Sequence, residues 1–200
     1  MTPDTHTPTR PPPAIEGAVP VNVPTTVPGV TVSSRPANAD RPYVRYLWVA
    51  IRLCMGWTFL WPFMDKMFGL GHDTPSAQSW LNGGNPSKGF LAGSIGPFSS
   101  IYHSIAGAGI VNVLFMVGLL GIALALLLGV AMKPAAAAGA TLLVLMWSAS
   151  LPPDQDIFMD NHIIYALLLV GLVFVGAGKT FGFGKQWELL PFIQRHRWLS

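Results

Sequence analysis

The chain has 200 residues, 51% of them hydrophobic and 10% charged, with a formal net charge of +3 and a mean hydropathy of +0.46. A soluble domain carries about 25% charged residues, so this deficit points to a lipid-embedded protein. Its positive charge does not form a basic stripe interleaved with aromatics, which argues against a nucleic-acid partner, and its single cysteine, Cys54, excludes an intrachain disulfide and any CxxC metal pair.

Residues 1–40 are dominated by Pro, Thr and Val, with a triple-proline run at Pro11–Pro13. Proline removes backbone donors, and no apolar periodicity replaces them. The segment reads as a disordered, proline-rich cytoplasmic tail. No apolar core follows its first basic residue, Arg10, so it does not read as a secretory signal.

Four apolar spans follow, at Tyr43–Phe68, Gly109–Met132, Pro134–Leu151 and Asn161–Gly178. Each approaches the length a helix needs to cross about 30 Å of hydrocarbon. Lys133-Pro134 and Pro152-Pro153 bound the third, Ala-rich span. The expected fold is an all-α membrane protein, a four-helix transmembrane bundle spanning residues 41–185. Residues 186–200 are expected to form a basic-aromatic cytoplasmic tail. Lys and Arg cluster before the first span, between the second and third, and after the fourth, which places both termini in the cytoplasm and residues 69–107 and 152–160 outside. The connection 69–107 is long and Gly/Pro-rich but carries Trp80, Phe90, Phe98 and Tyr102. It reads as a re-entrant or interfacial segment, with short helices at Ser76–Leu81 and Ser87–Ile95 around the turn Asn82–Pro86.

The first span is interrupted by charge. Arg52 lies deep inside it and Asp65-Lys66 closes it. An Arg at membrane depth costs about 2.5–3.5 kcal/mol on insertion scales, so such residues face a protein interior or a polar cavity. At 100° per residue Arg52 shares a face with Trp48, Met55, Phe59, Phe63 and Lys66, whereas Asp65 falls with Cys54, Thr58 and Trp61. The two charges are about 20 Å apart along the axis and do not pair. Arg52 is either a brace held by backbone carbonyls or a neighbour, or a contact for a polar headgroup. Pro62 removes one ladder hydrogen bond and is expected to kink the helix.

On this topology a candidate polar pocket lies near the outer interface. It combines Asp65, Lys66, Trp80, Asn82, Lys88, Asp160 and His162, with Arg52 deeper. Asp160 also suits the N-cap of the fourth helix, and His162 suits either the headgroup level or a proton relay. Trp57 and Trp61 belong by default to interfacial packing, and a quinone-stacking surface formed with Arg52, Asp65 and His162 is the alternative. No metal site or intrinsic cofactor is evident. His103 and His162 are the one plausible pair for a haem and both lie at the outer boundary, which disfavours it. The GFGK run at Gly182–Lys185 follows no strand and is not a phosphate-binding fingerprint.

The segments RLCMGWTFLWPFMDKMFGLG (Arg52–Gly71), SWLNGGNPSKGFL (Ser79–Leu91), LLGIALALLLG (Leu119–Gly129) and MDNHIIYALLL (Met159–Leu169) together resemble the DoxX/DoxD family. This family of small membrane proteins includes the small subunit of thiosulfate:quinone oxidoreductase. The resemblance covers about residues 43–180. It implies a four-helix bundle in the prokaryotic cytoplasmic membrane, linked to sulfur or thiol metabolism through the quinone pool. The implied partners are the lipid bilayer, quinone, and a second oxidoreductase subunit or further copies of the chain. The resemblance leaves open whether the chain is a redox-linked subunit or a non-enzymatic scaffold that recruits a soluble oxidoreductase.

Overall fold

The computed structural model describes residues 42–153 and 159–199. The proline-rich segment 1–40, and Asp154 and Asp156 of the connection 152–160, lie outside the described residues. The described chain is helical, with no strand among those residues. Its elements are α1 (Pro42–Phe68), α2 (Pro86–Ala92), α3 (Ser99–Ile105), α4 (Gly109–Leu128), α5 (Met132–Ala149), α6 (Asn161–Phe174), α7 (Gly184–Glu188) and α8 (Pro191–Arg195). Short 3-10 turns at Ser76–Gln78, Ala177–Lys179 and Arg197–Leu199 join them.

Three helices, α1, α4 and α5, are long and apolar enough to cross a membrane. α6 is apolar but shorter, at 14 residues. The sequence predicts a fourth span reaching Gly178, but the helix ends at Phe174, and Gly176 then turns the chain in a left-handed conformation at φ 65°. α4 likewise stops at Leu128, capped by Gly129 at φ 72°, whereas the apolar run continues to Met132. Glycine tolerates this conformation without a Cβ penalty, which is why both helices end where they do. Pro134 lies in the first turn of α5, where its missing N–H leaves no partner unmet. α1 passes through Pro62 and continues to Phe68.

α1 packs on α4, α4 on α5 and α5 on α6. The core between them is aliphatic and aromatic: Met55, Phe59 and Phe63 of α1 meet Met116, Leu119, Ile122 and Leu126 of α4, and Leu143, Leu169 and Leu172. Gly139 permits a close approach, since a Cβ there would stand 2.6 Å from the Leu169 side chain. The buried face of α1 is the predicted one, containing Arg52, Met55, Phe59 and Phe63, while Cys54, Trp57 and Thr58 are exposed.

Asp65 departs from that pattern. It is buried, at 1% exposure, although helical geometry groups it with the exposed face of Cys54, Thr58 and Trp61. The reason is non-local, because the turn after α1 folds back over it. Between α1 and α4 the expected layer of short helices is present, with a different register. Residues 76–78 make one 3-10 turn, α2 begins at Pro86, and α3 is an additional helix. Tyr102 of α3 donates to the Leu145 carbonyl at 3.1 Å and also bonds to the Ser148 hydroxyl, which ties this layer to α5. Leu91, Tyr102 and Ala149 form a small second core beneath it.

Candidate functional site

The start of α1 and the exits of α4 and α6 meet at one end of the helices, here termed the near end. Arg45 Nη2 donates to Thr180 Oγ1 at 3.2 Å, Arg52 Nη2 donates to the Phe181 carbonyl at 2.7 Å, and the Phe183 N–H donates to the Leu128 carbonyl at 2.8 Å. Arg52 is fully buried. Its guanidinium sits inside a wall of glycine backbone. A Cβ on Gly129 would collide with Nη1, and one on Gly182 would lie 2.5 Å from the same nitrogen and 2.8 Å from the Gly178 carbonyl oxygen. Nε and Nη1 have no hydrogen-bond partner among the described residues. Arg52 is therefore a brace of the near end that keeps two donor atoms uncommitted.

Phe181 is one of two non-glycine residues in the left-handed region among the described residues, at φ 48°. That conformation costs a non-glycine residue about 1–2 kcal/mol. The charge-assisted bond from Arg52 to its carbonyl is of comparable size.

The far end carries the other candidates. Asp65 Oδ1 accepts the His72 N–H and Oδ2 accepts the Asp73 N–H, each at 3.1 Å. The buried Thr74 side chain donates to the same carboxylate. Asp65 is thus the anchor of the turn that closes over it. Lys66 and Met67 give their carbonyls to the N–H groups of Trp80 and Leu81, at 2.9 and 3.3 Å, so this stretch caps the last turn of α1. Trp80 packs against the main core. Exposed Asn82 donates to the Ser76 carbonyl at 2.7 Å, and exposed Lys88 lays its stem over Gly107.

Asp160 is the N-cap of α6. Its Oδ1 accepts from the His162 N–H at 2.9 Å and the Ile163 N–H at 3.4 Å, and its Oδ2 faces His162 Nδ1 at 2.6 Å. Asp65 and Asp160 therefore serve two separate hydrogen-bond sets, one in the turn after α1 and one at the start of α6. Arg52 belongs to the opposite end. The other candidate haem histidine, His103, has Nε2 at 2.9 Å from the Ser94 carbonyl. Among the described residues, no three His, Cys, Asp or Glu side chains gather where they could hold a metal ion.

A row of rings runs along the outside of α1. Trp57 and Trp61 stack with centroids 6.1 Å apart and planes inclined at 29°, and Trp61 meets the edge of His72 at 6.1 Å and 65°. Separations of this size lie within the range of attractive aromatic pairs. His72 is exposed, and its backbone is held by Asp65. Sequence reasoning passed over His72. The available signal was the Gly69–Gly71 turn directly after a helix ending in an acid, which returns the chain toward that acid.

Two cavities open at the near end. One, of about 300 Å³, is walled by Gly129, Gly178, Gly184, Lys133, Lys179 and Trp187 among others. The second, of about 290 Å³, lies between the first turn of α1 and the exit of α6. None of the far-end candidates lines either one. No protein-family model, curated protein or solved structure matches the chain.

Proposed function

We propose that the chain is a multi-pass protein of the cytoplasmic membrane, of the DoxX/DoxD type, and that it acts as a redox-linked subunit at the quinone pool. In this reading α1, α4, α5 and α6 form a four-helix transmembrane bundle with both termini on the cytoplasmic side. α6 is about 21 Å long at about 1.5 Å per residue, and the turn and 3-10 segment through Lys179 continue it to the level of Arg45. The basic residues flanking the near end agree with that orientation.

The observation that carries the quinone reading is the Trp57–Trp61–His72 row. It faces away from the helix core, so a planar ring arriving sideways through the lipid meets an aromatic surface and then an imidazole. The ring stacks on Trp61 and the His72 side chain hydrogen-bonds a ring oxygen. Asp65 positions His72 through its backbone and does not touch the ligand. Electrons come from a second oxidoreductase subunit, as the family resemblance implies. Quinone co-purifying in mild detergent should fall several-fold in Trp61→Leu and in His72→Gln. Wild-type quinone content in both variants would end the reading.

A scaffold role is the second reading, and the C-terminal element favours it. Trp187 Nε1 donates to the Leu199 carbonyl at 2.8 Å, folding α7, α8 and the last turn on themselves. This fold leaves Leu189, Phe192 and Trp198 exposed. A surface of that kind suits a soluble oxidoreductase as partner. Deleting residues 186–200 should release such a partner while the helices stay folded. A complex that survives the deletion would argue against this role.

A further inference from the structure

We propose that the groove between the first turn of α1 and the exit of α6 binds the phosphate of an anionic phospholipid headgroup. The groove is lined by Arg45, Tyr46, Lys179, Phe181 and Lys185, and its volume is about 290 Å³. That is about ten times a water molecule's share of the liquid, at the low end for ligand pockets. It suits a headgroup rather than a nucleotide.

Charge selects the sign of the ligand. Lys179 is neutralised by Glu188 at 2.7 Å. Arg45 and Lys185 have no ion pair among the described residues, and both are exposed. Arg45 spends one donor on Thr180 Oγ1 at 3.2 Å, which holds its guanidinium at the groove and leaves other N–H groups to a ligand. Directly behind the wall, the Phe181 carbonyl carries the bond from buried Arg52, whose charge also has no acidic partner among the described residues. Two cations with no ion pair among the described residues thus line the groove, and the buried charge of Arg52 is bonded to the carbonyl of a third lining residue, Phe181. A buried charge is felt over a longer range than an exposed one, because little water intervenes.

The apolar wall selects a lipid over a free anion. The Tyr46 and Phe181 rings lie 5.6 Å apart and flank the basic groups, as aromatics do at the headgroup level. Immediately along α1, Leu47 and Leu53 are exposed, apolar surface on which acyl chains of a lipid held by its headgroup would lie. This inference rests on α1 spanning the bilayer. It is independent of the quinone reading, whose ring row begins farther along α1 at Trp57 and ends in the turn beyond it.

The test is native mass spectrometry of the full chain in detergent, with phosphatidylglycerol or phosphatidylcholine added. The wild type should retain phosphatidylglycerol in preference. The double variant Arg45→Gln/Lys185→Gln should lose that retention by about 25-fold, taking about fivefold for each basic residue beside an anionic lipid. Arg195→Gln, an exposed control lacking one positive charge, should retain it, and circular dichroism should show unchanged helix content in all three. Equal retention of the two lipids, an undiminished double variant, or an equal loss in Arg195→Gln would overturn the proposal. So would displacement of the lipid by millimolar inorganic phosphate, which would mark a soluble-anion site.

Discussion

Arg52 and Phe181 stand 129 positions apart in the chain, and the 2.7 Å bond from the guanidinium to the Phe181 carbonyl joins the middle of α1 to the segment that leaves α6. Two effects oppose each other at this contact. The bond itself is worth about 1.5–3 kcal/mol, as for hydrogen bonds to charged groups. Against it stand two donor atoms of a buried cation with no partner among the described residues, a cost of similar order. Global stability therefore responds little to the loss of Arg52, whereas local order responds strongly. Arg52→Met, which keeps an unbranched apolar stem, should raise amide hydrogen exchange across residues 178–184 by about tenfold or more, the equivalent of at least about 1.4 kcal/mol, with helix content unchanged. Wild-type protection in that segment would show that Arg52 does not clamp it.

The glycine wall gives a sharper contrast. Gly129 holds φ 72°, and a Cβ there would collide with Arg52 Nη1 and stand 2.9 Å from the Gly178 carbonyl. A Cβ on Gly121, inside the α4 helix that Gly129 caps, would meet nothing within 4 Å. Gly129→Ala should cost more than about 2 kcal/mol, since the left-handed penalty of about 1–2 kcal/mol adds to the collision. Gly121→Ala should be neutral or stabilise by about 0.5–1 kcal/mol. Thermal unfolding in detergent reads both, and equal melting temperatures for the two variants would contradict the account.

Much of this arrangement was legible in the sequence, and the misses share one cause. The apolar runs, with prolines bounding the third, located α1, α4 and α5 to within a few residues, because helix length is a local matter. Helical periodicity placed Met55, Phe59 and Phe63 on the face of Arg52, and the structure buries all four. The N-cap role of Asp160 followed from an acid directly before an apolar run. What periodicity did not contain was the burial of Asp65, produced by a turn that folds back over the helix. Nor did it contain the close approach of Gly129 and Gly182 to the Arg52 guanidinium. In sequence a glycine signals a turn, and its role in admitting a distant side chain appears only when the segments meet.

Asp65→Asn separates anchoring from chemistry. The carboxylate accepts one backbone N–H on each oxygen, and an amide offers only one acceptor. The other N–H is then left against an NH₂ group, a loss of about 1–3 kcal/mol for an unsatisfied donor. Limited proteolysis should therefore cut residues 70–78 faster in the variant, and His72 should lose its position beside Trp61. Quinone retention should fall together with this loosening. A variant that loses quinone while the turn stays protected would instead give Asp65 a direct part in the site.

Asp160 combines a cap with a histidine partner, and two substitutions pull these apart. Asp160→Ala removes the acceptor for the N–H groups of His162 and Ile163, which should cost about 1 kcal/mol, the usual loss of an N-cap. Asp160→Asn keeps a capping oxygen of nearly equal quality but removes the carboxylate that faces His162 Nδ1 at 2.6 Å. If the residue serves the helix start alone, Asp160→Asn should melt with the wild type and Asp160→Ala below it. If Asp160→Asn is destabilised as much as Asp160→Ala, the contact with His162 rather than the cap holds the start of α6. The second outcome would make this acid–imidazole pair, partly exposed at the far end, the structural core of that corner of the protein.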